Sequence, residues 1–304
     1  MHDIVKHASE LEEQLIAWRR ELHAQPECSF QEEETAAYVV DVLSSIPGMV
    51  VETNVGGHGV VGSLRAGVGK TIALRADMDA LPITETNQVS YTSKNLGVMH
   101  ACGHDAHTAI LLGAAALIGE LIQAGAITGT VLFLFQPAEE AMDSDGKTGA
   151  MHMLEAGVLK GVNMAFALHV CPWHEKETIQ LHTGASMASF DVFKGRIKGT
   201  GGHGAYPHLG VDPVWLLSQV LPVLYSLPGR LSSPLEPTVL SIGKISGGDA
   251  NNVIPAEVYV EGTMRCYDET IRESLGQEIK RAFHLANVFG GNGSCEIERG
   301  EPAL

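Results

Sequence analysis

The run Thr130–Phe135, TVLFLF, constrains this chain more than any other segment. A strand wetted on one face alternates apolar and polar residues; one that does not alternate must be covered on both faces, as in sheets flanked by helices. The neighbouring segments fit that demand. Residues 9–24 and 31–46 read as amphipathic helices, the first with Leu11, Leu15, Trp18 and Leu22 at helical spacing. Val50–Leu64 reads as one or two short strands broken by Gly56, Gly57 and Gly59, and Thr71–Ala76 as a strand running into Asp77-Met78-Asp79. Ala106–Gln123 is an alanine-rich, buried helix; a helix near Gly149–Ala156 leads to a strand at Met164–His169. Apolar strands alternating with helices predict a three-layer α/β domain with a mostly parallel sheet.

The second half has a different rhythm. Phe190–Ile197, Val239–Ile245, Val258–Met264 and Cys295–Glu298 read as strands, and Val214–Leu227 and Ile271–Val288 as helices, Pro222 being a place for a bend. The order β-α-β-β-α-β is that of a ferredoxin-like unit. A boundary near Leu181–Ser186 separates the two halves, with glycine-rich connections as hinges. Gly67-Val68-Gly69-Lys70-Thr71 resembles the end of a phosphate-binding loop, but the first glycine of that motif is Leu64 here, so a hairpin turn is the better reading.

Composition narrows the partners. The chain is 45% hydrophobic and 18% charged, which is ordinary for a globular protein. A net charge of -16 repels phosphate backbones, so no nucleic-acid partner is expected. Five scattered cysteines make no disulfide framework. The N-terminal stretch carries Asp3, Glu10, Glu12 and Glu13 rather than a signal-peptide core, and Ala109–Ile118 is too short to span a bilayer. The expectation is a reduced, cytoplasmic protein without a membrane partner.

The densest chemistry is His100-Ala101-Cys102-Gly103-His104-Asp105-Ala106-His107, read as a loop just before a helix. Thiolate and imidazole suit zinc, manganese or a similar ion. Taken singly, each residue could be a core or helix-capping group; the cluster favours metal. Glu139 and Glu140 follow the apolar strand, where they could supply one ligand and one base or merely a solvated acidic loop. His169 ends another strand, and Asp77 and Asp79 a third. In the second half, residues 201–208 and 251–255 are polar, glycine-containing turns.

These motifs, in this order, resemble the M20 metallopeptidase family in its amidohydrolase branch, which includes hippurate hydrolase, indole-acetyl-amino-acid hydrolases and N-acyl-amino-acid amidohydrolases. The matching segments are Leu74–Pro82, Met99–His107, Pro137–Glu140, Leu168–Val170, Gly202–His208 and Asn252–Pro255. The resemblance implies Cys102 as the ligand bridging two metals, His104, Glu140 and His169 as terminal ligands, Glu139 as general base and Asp79 as the supporting carboxylate. It puts Asp77 where relatives outside the branch carry a histidine ligand. It implies His203 as the oxyanion-stabilising residue, reaching across from a partner subunit, and Asn252 as a substrate-binding residue; Arg265 is a further candidate for the substrate carboxylate.

The activity implied by the resemblance is hydrolysis of the amide of N-acyl amino acids or related small amides by metal-activated water. Two divalent ions (manganese, zinc or nickel) are expected per subunit of a homodimer paired through the second domain. A dipeptidase of the same family, an inactive dimer-forming homologue and a binding module without turnover are the alternatives. The resemblance also implies catalytic residues 1–184, an inserted lid and dimerisation domain over 185–300, and a return beginning at 301–304 whose remainder, with one more histidine ligand, is absent. On that reading the 304-residue chain binds metal poorly.

Overall fold

The structure, a computed structural model, describes residues 4–181 and 183–304. Met1, His2 and Asp3 of the charged N-terminal stretch and His182 of the expected boundary lie outside them. The chain divides into two compact units, the first running through Lys176 and the second beginning at Glu177.

The first unit comprises α1 (Ile4–Glu10), α2 (Glu12–Ala24), α3 (Glu33–Ser44), β1 (Val50–Glu52), β2 (Val60–Ala66), β3 (Thr71–Asp77), α4 (His104–Gln123), β4 (Gly129–Gln136), α5 (Gly149–Glu155) and β5 (Met164–Ala167). Its strands lie in the order β1-β2-β4-β3-β5. The apolar run is central. Val131, Phe133 and Phe135 of β4 pack into a core with Val39 and Leu43 of α3 and Leu111, Leu112 and Ala115 of α4. Leu132 and Leu134 point the other way, toward Met153 of α5 and Val158. Each large apolar side chain so buried contributes about 1.5–3 kcal/mol.

The sheet is mixed, with four of its five strands pointing the same way and β2 against them. β3 pairs in parallel with β4 and β5, but β2 is antiparallel to both β1 and β4. The connections explain it: parallel neighbours need a long crossover, while residues 53–59 and 67–70 are short links that reverse the chain. Residues 67–70 do form a turn, but not a hairpin, because β4 lies between β2 and β3.

At 20 residues, α4 is longer than its apolar centre and is long and apolar enough to cross a membrane by length and composition. It is instead the central helix of this core, and its first turn buries His104, Asp105 and His107.

The second unit comprises β6 (Asp191–Lys198), β7 (Gly202–His203), α6 (Pro213–Ser226), α7 (Pro228–Leu231), β8 (Thr238–Ser246), β9 (Val253–Ile254), β10 (Glu257–Cys266), α8 (Glu269–Val288) and β11 (Asn292–Arg299). The long strands form an antiparallel sheet in the order β11-β6-β10-β8, a ferredoxin-like arrangement. Both long helices begin at a capping aspartate: Asp212 accepts from Val214 N and Trp215 N, and Asp268 from Ile271 N. Pro222 sits within α6 without ending it. Phe193, Ile197, Val258, Val260 and Met264 face the helices, meeting Leu216, Leu275, Ile279 and Phe283. Side chains alternating with them form cross-strand ion pairs, Lys194–Glu298, Arg196–Glu257 and Lys244–Glu261. Residues 301–304 pair with 187–190, Phe190 N donating to Glu301 O (3.0 Å) and Met187 N to Leu304 O (2.9 Å).

Candidate metal centre

Because β3, β4 and β5 run parallel, their C-terminal ends share one edge of the sheet, the usual place for a site in such a fold. Asp77 closes β3 opposite Gln136 of β4, and Arg75 lies opposite Ala167 of β5. Asp79, Glu139, Glu140 and His169 all follow just beyond these ends. The fourth contributor is the start of α4. The His100–His107 segment is therefore not all loop: His104 opens the helix, and His107 lies one turn further along.

Gly103 makes this junction possible. Its φ is +91°, a left-handed conformation, and a Cβ there would lie 2.4 Å from Val170 Cγ2. With no side chain in the way, the segment after β5 comes up against α4, and Cys102 Sγ lies 3.4 Å from His169 Nε2.

The imidazoles of His104 and His169 are both held from behind. His104 Nδ1 faces Asp79 Oδ1 at 3.2 Å, and Asp79 in turn accepts from Ser29 Oγ (2.6 Å) and Glu140 N (2.9 Å). His169 Nδ1 donates to Val170 O at 2.8 Å. A proton on the outward nitrogen leaves the Nε2 lone pair directed inward, which is how outer partners orient ligating histidines. Among the described residues, His104 Nε2 and Glu140 Oε1 are both buried without a hydrogen-bond partner, 3.7 Å apart. Buried polar atoms are seldom left so. A cation between them would satisfy both, and the surrounding sulfur, nitrogen and oxygen donors fit a divalent transition metal. Among the described residues, His104 belongs to all three potential ligand groups: with Cys102 and His169, with Glu139 and Glu140, and with Asp77 and His107.

His107 plays a different part. Its Nδ1 lies 2.6 Å from Asp77 Oδ1 and its Nε2 accepts from Val170 N at 3.0 Å, so both nitrogens are engaged in bracing β3 against the segment after β5. Arg75 completes the support, contacting Asp77 Oδ2 at 2.7 Å and Gln136 Oε1 at 2.8 Å.

The charges match a cation site. Burial lowers the basicity of His104, but its bond to Asp79 and the charges of Asp77 and Asp79 outweigh it and raise the imidazole to about 11, so a cation bound at Nε2 would take the place of that proton. The neighbouring His104 and His169 imidazoles draw the Cys102 thiol down toward thiolate. Burial opposes ionisation of Asp77, yet His107 and Arg75 hold it well below the usual carboxylate range. Burial pushes Glu139 up, and the neighbouring Glu140 and Asp77 add to the rise.

The supports of this centre are not marked in the sequence. Glu32, His23 and Glu85 bear on it only through partners far along the chain. The i, i+3 spacing of His104 and His107 was the one local signal that both face the same way. In the second unit, β7 and β9 pair, placing His203 opposite Val253, next to Asn252. His203 Nδ1 accepts from Ala205 N (3.0 Å), and Gly204 N donates to Asn252 O (2.8 Å). Arg265 lies apart from them on β10, its guanidinium 4.8 Å from the Phe190 ring centroid.

Comparison with known proteins agrees with this architecture. The chain is 42% identical over 279 residues to an N-acyl-L-amino acid amidohydrolase of Geobacillus stearothermophilus, covering 92% of this chain and 74% of that protein. It is 39% identical over 292 residues to thermostable carboxypeptidase 2 of Saccharolobus solfataricus, covering 95% and 72%. A crystal structure of a dinuclear metal-binding M20 peptidase from Bacillus subtilis superposes with a TM-score of 0.80 at 34% identity, covering 97% of this chain and 76% of that one. The sequence profile of peptidase family M20/M25/M40 matches residues 73–303, and the chain belongs to that family.

Proposed function

We propose that this protein is a metal-dependent amidohydrolase acting on N-acyl amino acids or related small amides. The observation that carries the reading is the convergence of two histidines, each oriented from behind, on Cys102 and Glu140. In this reading Cys102, His104, Glu140 and His169 are the ligands this chain itself offers to two divalent ions, manganese, zinc or nickel, and these donors suffice for measurable binding, weaker than with the further histidine that the family resemblance implies. Bound there, the ions would supply electrophilic polarisation and a more acidic water. Glu139 takes a proton from the water that attacks the amide carbonyl and returns it to the departing nitrogen. Asp79 keeps the His104 ring in place and Asp77 adds negative charge beside it.

The second unit supplies the substrate side. His203 offers a donor to the developing oxyanion, Asn252 binds substrate, and Arg265 meets its carboxylate. A homodimer joined through this unit, with His203 crossing to the partner's centre, completes the reading. Open β8 edge backbone with exposed Val239 and Ile245 is compatible with such pairing. Five unpaired cysteines suit a reducing, cytoplasmic setting.

The carboxypeptidase relative favours one second reading, a peptidase that cleaves unblocked dipeptides. Chelator-stripped protein resupplied with each metal should release free amino acid from N-acetyl or N-benzoyl amino acids faster than from the matching dipeptides. Faster dipeptide cleavage would support the second reading; no cleavage of either with any metal would refute both.

A further inference from the structure

Glu32 belongs to none of the segments that carry the family resemblance, yet its side chain is wholly buried. It sits at the start of α3, and its Oε1 accepts a 2.7 Å hydrogen bond from Ala138 N, across 106 residues of sequence. Ala138 immediately precedes Glu139 and Glu140, and its φ is +45°. That is left-handed backbone, which an alanine adopts only under constraint because its Cβ crowds the carbonyl. The constraints are visible. Ala138 O accepts from Gly149 N (2.9 Å), and Glu140 N donates to Asp79 Oδ2 (2.9 Å). Among the described residues, Glu32 is the one side chain holding the Ala138 amide itself.

We propose that Glu32 is a positioning residue: its carboxyl keeps Ala138 left-handed, and that turn directs Glu139 and Glu140 toward His104. The inference rests on the metal-centre reading above. Burial pushes the Glu32 carboxyl up, and a neutral carboxyl can still accept from Ala138 N through its carbonyl oxygen. The interaction therefore asks for an acceptor of the right reach, not for a charge. Glutamine meets that need; methionine fills the space without an acceptor.

The test is calorimetric titration of chelator-stripped full chain with manganese. Glu32→Gln should bind close to the wild type. Glu32→Met should bind about 10–100-fold more weakly, the usual cost of losing an outer-sphere support. Adding Ala138→Gly to Glu32→Met should recover much of that affinity, because glycine occupies left-handed backbone without the Cβ penalty. A residue that merely filled space would show no such rescue. If Glu32→Met does not fold, Glu32→Asp, one methylene short of Ala138, is read in the same way. Wild-type affinity in Glu32→Met, or a loss in Glu32→Gln equal to that in Glu32→Met, would overturn the role of Glu32 alone. Failure of the wild type to bind manganese would overturn the metal-centre reading and this inference with it.

Discussion

Glu139 and Glu140 are adjacent carboxylates with different surroundings. Glu140 is tied through its amide to Asp79 and points Oε1 at His104, whereas burial and neighbouring charge push Glu139 toward the protonated form. We assign them separate tasks. Glu139→Gln should keep metal content near the wild type and lower kcat by about 10²–10⁴-fold, the range for loss of a general acid–base; metal analysis beside steady-state kinetics checks it. Retained turnover would refute the role of Glu139. The ligand candidates could be picked out of the sequence because Cys102 and His104 lie two residues apart and the others end recognisable strands. Their supports could not. His23 meets Asp105 across 82 residues and Glu32 meets Ala138 across 106, and no local pattern encodes such a contact.

The start of α4 shows how one helix is held for its task. Asp105, next to His104, is fully buried and contacted by Arg19 Nε (2.7 Å) and His23 Nδ1 (2.7 Å) of α2, while His23 Nε2 reaches Glu85 at 3.1 Å. The hydrogen bond to Asp105 is the main cause of a raised His23 pKa. A raised folded value means that the charged imidazole stabilises the protein fully below its unfolded pKa, and that this contribution fades as pH rises through the folded value. The gap in melting temperature between wild type and His23→Gln should therefore be wider at about pH 6 than at about pH 9. A gap independent of pH would show that His23 does not change charge. In the second unit, α8 sets Phe283 directly on β6: a Cβ at Gly195 would lie 2.0 Å from Phe283 Cζ. Gly195→Ala should cost about 1–3 kcal/mol through overpacking, read as a lower denaturant midpoint. The long helices and strands were legible from periodicity, with ends that shift by only a few residues, but α1, α7 and the two-residue strands β7 and β9, which fall where turns were expected, are too short to show a period. Sheet pairing was not, because the insertion of β4 between β2 and β3 is set by long-range packing of its two apolar faces.

Across the molecule, the first unit carries the candidate centre and the second carries His203 and Asn252, so chemistry and substrate recognition are proposed to reside in separately folded parts. The family could be read from motif order, since six short segments spread over the chain recur together. Its substrate could not, because glycine-rich turns such as residues 201–208 fix a backbone path without naming the acyl group that meets it. The proposed chemistry depends most on a divalent ion bound through Cys102. Titrating chelator-stripped protein with cobalt(II) tests that directly, since thiolate ligation produces a sulfur-to-cobalt charge-transfer absorption. A saturable band is expected in the wild type; it should persist in Cys171→Ser, where the thiol is exposed, and disappear in Cys102→Ser. No band in the wild type, or the same band in Cys102→Ser, would contradict a metal held by Cys102.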